Sequence, residues 1–214
     1  MYRLFYLIVS ISISQNSFNE DGQRHGRWMG YHENGQIKYQ GTFINGDEIG
    51  VFEYYDYSGN KVIQLNHIYQ GISRAQLFYK NGIIKSKGEY LNKQKNGLWI
   101  HYNVDGIKIA QEKYLHNILN GQCTYFHLNG ITSEIHNYEN GVKSGISSTF
   151  YQSGRINTTC NYNNGELNGL AQFYYNNNNN QMESFGYYKN GIKDSIWIFY
   201  NELGDTLRLI NYNN

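Results

Sequence analysis

Residues Gly97 to Asn120, GLWIHYNVDGIKIAQEKYLHNILN, decide the fold. Trp99, Ile100 and Tyr102 mix aromatic and β-branched types, which suits a strand. Asp105-Gly106 then supplies a tight-turn dipeptide, read here as a two-residue hairpin turn with positive φ at both residues. Ile107 to Tyr114 returns as the partner strand, and an Asn-rich loop leads on to Gly121. A lone two-stranded hairpin is marginal in water, so the unit needs neighbours.

The neighbours are copies of it. Units open at Gly26, Gly50, Ser73, Gly97, Gly121, Gly145, Gly169 and Ser195, in steps of 24, 23, 24, 24, 24, 24 and 26 residues. The short step is assigned to a trimmed loop at Gln70-Gly71, the long one to extra residues in Asn176 to Asn180. Nine residues into the unit comes a turn glycine (Gly35, Gly59, Gly82, Gly106, Gly130, Gly154, Gly204), replaced once by Asn180. Five residues in, the position is always aromatic: Tyr31, Tyr55, Phe78, Tyr102, Phe126, Phe150, Tyr174 and Tyr200. A second column runs Phe43, His67, Tyr90, Tyr114, Tyr138, Tyr162, Tyr188, Tyr212. Such self-similarity marks a repeat architecture. The expectation is all-β: an elongated single-layer antiparallel β-meander of eight hairpins of about 24 residues, spanning 25–214. Sixteen strands at about 4.8 Å each would extend roughly 75 Å. With two-residue turns, the second column lies opposite the opening glycine, its rings covering a residue with no side chain. Many Tyr hydroxyls are expected to stay wet while their rings stack.

Met1 to Ser14 differs from the rest. Arg3 precedes an apolar run, Leu4 to Ile13, and Ser12-Ile13-Ser14 offers a small-x-small cleavage site before Gln15. That layout is a secretory signal peptide, so export to the periplasm or beyond is expected, a hydrophobic first strand being the plainer alternative. Residues 15–24 form a polar lead-in.

Composition narrows the partners. Net charge is +1, with no basic face for nucleic acid and no basic run for acidic lipid. The chain has no Pro, as a continuous ladder requires. Two strands of the meander separate Cys123 from Cys160, which puts them roughly 14 Å apart, beyond the about 7 Å a disulfide spans. Two free thiols follow, with an inter-chain bridge as the alternative. No G-x-S-x-G, H-E-x-x-H, C-x-x-C or phosphate-cradling loop occurs, so no catalytic, cofactor-binding or metal-ligating set is expected. Seven histidines scatter over the unit, only His32 and His127 sharing a position. Trp28, Trp99 and Trp197 are read as packing along the sheet, with sugar stacking as the sharper alternative.

The pattern G-x-W-x-x-Y-x-x-x-G in Gly26, Trp28, Tyr31 and Gly35, with Tyr138-Glu139-Asn140-Gly141 and Tyr162-Asn163-Asn164-Gly165 as second halves, resembles the bacterial MORN-repeat variant. Proteins of this kind are grouped as the YwqK-type antitoxin family of toxin–antitoxin modules. The resemblance implies a non-enzymatic protein-binding ribbon and neutralisation of a toxin. Ser73, Ser195 and the missing glycine near Lys93 depart from the pattern. The expected function is therefore an exported, non-catalytic scaffold for a protein partner. The alternative is binding of polysaccharide or cell envelope through the aromatic column Tyr31 to Tyr200. Lipid association, proposed for eukaryotic MORN proteins, ranks last because the charge is near neutral.

Overall fold

The computed structural model describes residues 15–213. The signal-peptide reading of Met1–Ser14 lies outside the described residues. Among the described residues every regular element is a strand, and nineteen of them form one open antiparallel sheet in which each first strand pairs with its return strand and each return strand with the next unit. The surplus over sixteen has two sources. The lead-in contributes Ser17–Phe18, while Asn120 and Ser144 each split a first strand in two.

Register follows the sequence pattern. Gly26 pairs with Phe43, Gly97 with Tyr114 and Gly169 with Tyr188, so the second aromatic column does lie opposite the opening residue. The turns that set this register are the reverse of those expected. At Asp105-Gly106 only Gly106 has positive φ, 83°. Its N–H donates to the Asn103 carbonyl at 3.0 Å, and the Asn103 N–H to the Ile107 carbonyl at 2.8 Å. This is a type I turn closed by a left-handed glycine, a three-residue loop. The doubly positive pair sits between units instead: Asn45-Gly46 (51°, 87°), Asn140-Gly141 (51°, 84°) and Asn164-Gly165 (49°, 85°). An odd loop should move every side chain to the other face. A one-residue slip immediately after it, between His101 and Tyr102 and at equivalent places, restores the parity.

The opening glycines also need a different explanation. A Cβ on Gly50, Gly97 or Gly145 would meet nothing within 4 Å. No ring covers them. They are glycine because the backbone there is left-handed, with φ of 61°, 71° and 78°.

Rings cover another set. The third residue of every unit (Trp28, Phe52, Ala75, Trp99, Cys123, Ser147, Ala171, Trp197) is buried on one face. Where it is a ring that follows another unit, the preceding return strand offers glycine beneath it: Gly41 under Phe52, Gly88 under Trp99, Gly186 under Trp197. Where that return strand carries Leu65, Glu112, His136 or Cys160, the next third residue is small: Ala75, Cys123, Ser147 or Ala171. Packing at native density demands such large–small matching. It runs the length of the sheet and makes its core.

The lead-in finishes the first edge of the described sheet. Ser17 pairs with His25 and Phe18 with Arg24. The Trp28 indole N–H donates to the Ser17 carbonyl at 3.0 Å, and Phe18 meets Trp28 edge-on at 5.1 Å. A paired edge is less open to stray strand addition.

Both cysteines are free and buried, Cys123 at 0% exposure. Burial pushes both thiols up, so little thiolate forms at neutral pH. Neither thiol is presented to a second chain. A thiol-specific chromogenic reagent at pH 7.5 should therefore leave the native chain unmodified and titrate two thiols after denaturation. Rapid modification before unfolding would contradict the packing just described.

Candidate functional site

The repeat breaks once in register, between units two and three. Gln70-Gly71 is not trimmed: it keeps the full doubly positive turn, φ 47° and 76°. The loss lies after it. Gly46 and Phe52 are separated by Asp47 to Val51, but Gly71 and Ala75 only by Ile72 to Arg74. The bulge glycine is gone, and Ser73 pairs directly with His67 in an ordinary extended strand. Ala75 stands where Phe52 and Trp99 place rings. Strands Asp47–Tyr55, Lys61–Tyr69 and Ile72–Phe78 bound a groove of about 1040 Å³ on the core face.

Its apolar lining includes Phe43, Ile63 and Leu65, and its polar lining includes Asp47, Glu48, His67, Ser73 and Lys93 together with Gln70 and Asn92 of the two turns. His67 Nδ1 lies 2.9 Å from Ser73 Oγ. With the hydroxyl donating, the imidazole proton falls on Nε2, which is buried without a hydrogen-bond partner and 3.5 Å from Glu48 Oε2. Burial holds His67 below its ordinary range, reinforced by Lys93 and opposed by Glu48, so the ring is neutral at pH 7. Burial and then the Glu48 charge push the Tyr54 phenol up to about 12. Serine, histidine and glutamate in sequence suggest a hydrolytic triad. However, the strand around Ser73 is paired on both sides, to His67 and to Tyr90, so its N–H groups serve the ladder and do not converge on a substrate oxygen. The chemistry on offer is recognition.

A second polar cluster lies further along the same face. His101 Nε2 is 3.0 Å from Glu112 Oε2, which also accepts the Tyr114 hydroxyl at 2.6 Å, while Tyr125 donates to Oε1 at 3.3 Å. The His101 contact first, then Tyr114 and Tyr125, hold Glu112 down to about 2 against the opposing effect of burial. Beside it His136 Nε2 meets Glu134 Oε2 at 2.6 Å, with Lys143 Nζ 3.3 Å away. Reading histidines by unit position missed this association, because His101 and His136 occupy different positions that share one face. The signal was present in another row: Glu112 and His136 fill, in consecutive units, the place that Gly41, Gly88 and Gly186 fill elsewhere. Among the described residues no three His, Cys, Asp or Glu side chains converge as a metal ion would require.

The aromatic column singled out from sequence lies on the opposite face. Tyr31 is 54% exposed, and Tyr55, Phe78, Tyr102, Phe126, Phe150, Tyr174 and Tyr200 are half-buried. Successive members are two strands apart, about 9.6 Å, so these rings do not stack on one another. Lysines from intervening strands lie over some of them instead, Lys61 Nζ 4.9 Å from the Phe78 ring centre and Lys108 Nζ 4.0 Å from that of Phe126.

In five units the residue after the column member ties one unit to the next. His32 Nε2 reaches the Tyr55 carbonyl at 2.9 Å and His127 Nε2 the Phe150 carbonyl at 2.9 Å. The Tyr79, Tyr151 and Tyr175 hydroxyls donate to the carbonyls of Tyr102, Tyr174 and Tyr200. The two histidines sharing a position are thus inter-unit ties. These three hydroxyls are satisfied within the protein.

Residues 24–45 and 74–92, the hairpins of units one and three, match the MORN repeat variant. The other units continue their frame, turns and buried row, so the sheet as a whole is consistent with repeats of the MORN type. No curated protein matches the chain.

Proposed function

We propose that this chain is a non-catalytic, protein-binding scaffold whose contact site is the groove between units two and three. One observation carries the reading. The place where the repeat loses its opening glycine and moves its bulge to the preceding strand, at Ile68, is also where a mixed apolar and polar groove opens. Concave, mostly apolar sites with a few convergent polar groups are where recognition concentrates. In the terms of the MORN-type resemblance the partner is a toxin-like protein neutralised by capture. The layout of Met1–Ser14 adds export, which would put that partner outside the cytoplasm.

The test is capture of the products of neighbouring genes by the wild-type chain and by His67→Tyr. Six other units carry Tyr at that place, so the variant should fold with an unchanged melting temperature while its larger ring fills the groove. The wild type should retain a partner that His67→Tyr loses. Equal retention by both chains would exclude the groove as the contact.

A further inference from the structure

Lys93 stands where its own backbone does not favour it. The turn between units needs left-handed φ at both residues, and its second residue is Gly46, Gly71, Gly141, Gly165 and Gly191 at five turns. Asn117 takes the place once, and Asn tolerates this region because its short side chain can bond locally. Lys93 takes it with φ 65°. A long side chain there carries strain, and such residues persist at sites that use them. Lys93 receives no local return: none of the salt bridges among the described residues involves its ammonium. What it does is line the groove, on the rim formed by its turn, near the neutral His67 with its unpartnered Nε2.

We infer that Lys93 anchors a carboxylate of the partner, supplied by an acidic residue that lies next to an apolar side chain in an extended segment. The apolar side chain rests on Ile63 and Leu65. The carboxylate pairs with Lys93 at the rim. Glu48 on the facing wall accepts a backbone N–H and repels a second acidic residue, which fixes direction. A free inorganic anion would use the lysine and leave the floor bare, so the chemistry fits a peptide better. This inference rests on the groove being the contact site.

The two ideas separate in one experiment on the full chain, isotopically labelled and followed by amide NMR. The probes are the blocked peptides acetyl-Ala-Asp-Leu-Ala-amide and its Asn and Lys counterparts. The Asp peptide should shift the amides of 67–73 and 92–94, and the Asn peptide should bind about tenfold more weakly, the usual worth of a charge-assisted hydrogen bond. Lys93→Gly should bind the Asp peptide as weakly as the wild type binds the Asn peptide, yet melt no lower than wild type, because glycine relieves the strained turn. Lys93→Arg should keep the preference. If Lys93→Gly retains the Asp preference, or the three peptides bind the wild type alike, the anchor is wrong and the groove stands. If no peptide shifts those amides, the groove reading fails and takes the anchor with it.

Discussion

Gly88→Ala lowers the stability of the sheet by about 3 kcal/mol, at the upper end of what one extra carbon costs in a full core. The residue lies in the strand Ile84–Leu91 with ordinary extended backbone, so alanine's backbone preference is not the obstacle. Space is. A Cβ would overlap the Trp99 indole, which is 0% exposed and donates from Nε1 to the Glu89 carbonyl at 3.1 Å. The indole cannot swing away without breaking that bond and leaving Tyr90, 5.0 Å from it between ring centres, unpacked. Gly186→Ala meets the same obstacle at Trp197, held by the Tyr187 carbonyl at 3.1 Å. A double-mutant cycle isolates the cause. Trp99→Ala alone costs about 3–5 kcal/mol for a buried aromatic, but once the indole is gone the added methyl has room. Gly88→Ala on that background should then cost close to nothing, giving a coupling of about 3 kcal/mol by urea unfolding. Strict additivity of the two changes would sink the large–small account of the core.

The repeat frame, the eight units and the pairing of Gly26 with Phe43 were legible because glycine and aromatic residues recur at fixed offsets. The added residues at Asn176 to Asn180 and the left-handed Asn180, φ 50°, were legible for the same reason. Turn types were not. Asp-Gly and Asn-Gly both suit a doubly positive turn, and only the residue count to the next paired position distinguishes Asn103–Gly106 from Asn140-Gly141. The parity of the columns survived the error, because the three-residue loop and the slip after it cancel. The groove was hidden by a similar cancellation. One residue more before the Gln70-Gly71 turn and two fewer after it appear in the sequence as a single missing residue. The eye assigns that residue to the loop. The meaning of Lys93 was hidden too, since a missing glycine near the end of a unit looks like decay of a motif until φ shows that the turn was kept. Chemistry in such a chain sits at departures from its own consensus, and a departure can be weighed only once the consensus geometry is known.

Acid should unfold this protein early, and Glu112 should be a principal cause. Its carboxyl titrates near 2 when folded, against an ordinary value of 4.5. A depressed folded value means that the group contributes its full stabilisation above pH 4.5 and loses it as pH falls from there towards 2. The gap corresponds to roughly 3 kcal/mol at most, and sharing with the coupled His101 reduces this to about 2. The carboxylate side chain is 18% exposed and accepts bonds from Tyr114 and Tyr125 as well as facing His101, so protonation disturbs several partners together. Chemical denaturation at pH 7, 5, 4 and 3 should show wild-type stability falling across this window. Glu112→Gln should start about 2 kcal/mol lower at pH 7, because the hydroxyls of Tyr114 and Tyr125 lose the charged acceptor they donate to. Its curve should then fall less steeply, so that the two chains converge near pH 3. Glu53, lowered by its bond from Gln40, titrates in the same direction, and the variant keeps that part of the slope. Parallel curves from pH 5 to 3 would show that the carboxylate at 112 is not what acid removes.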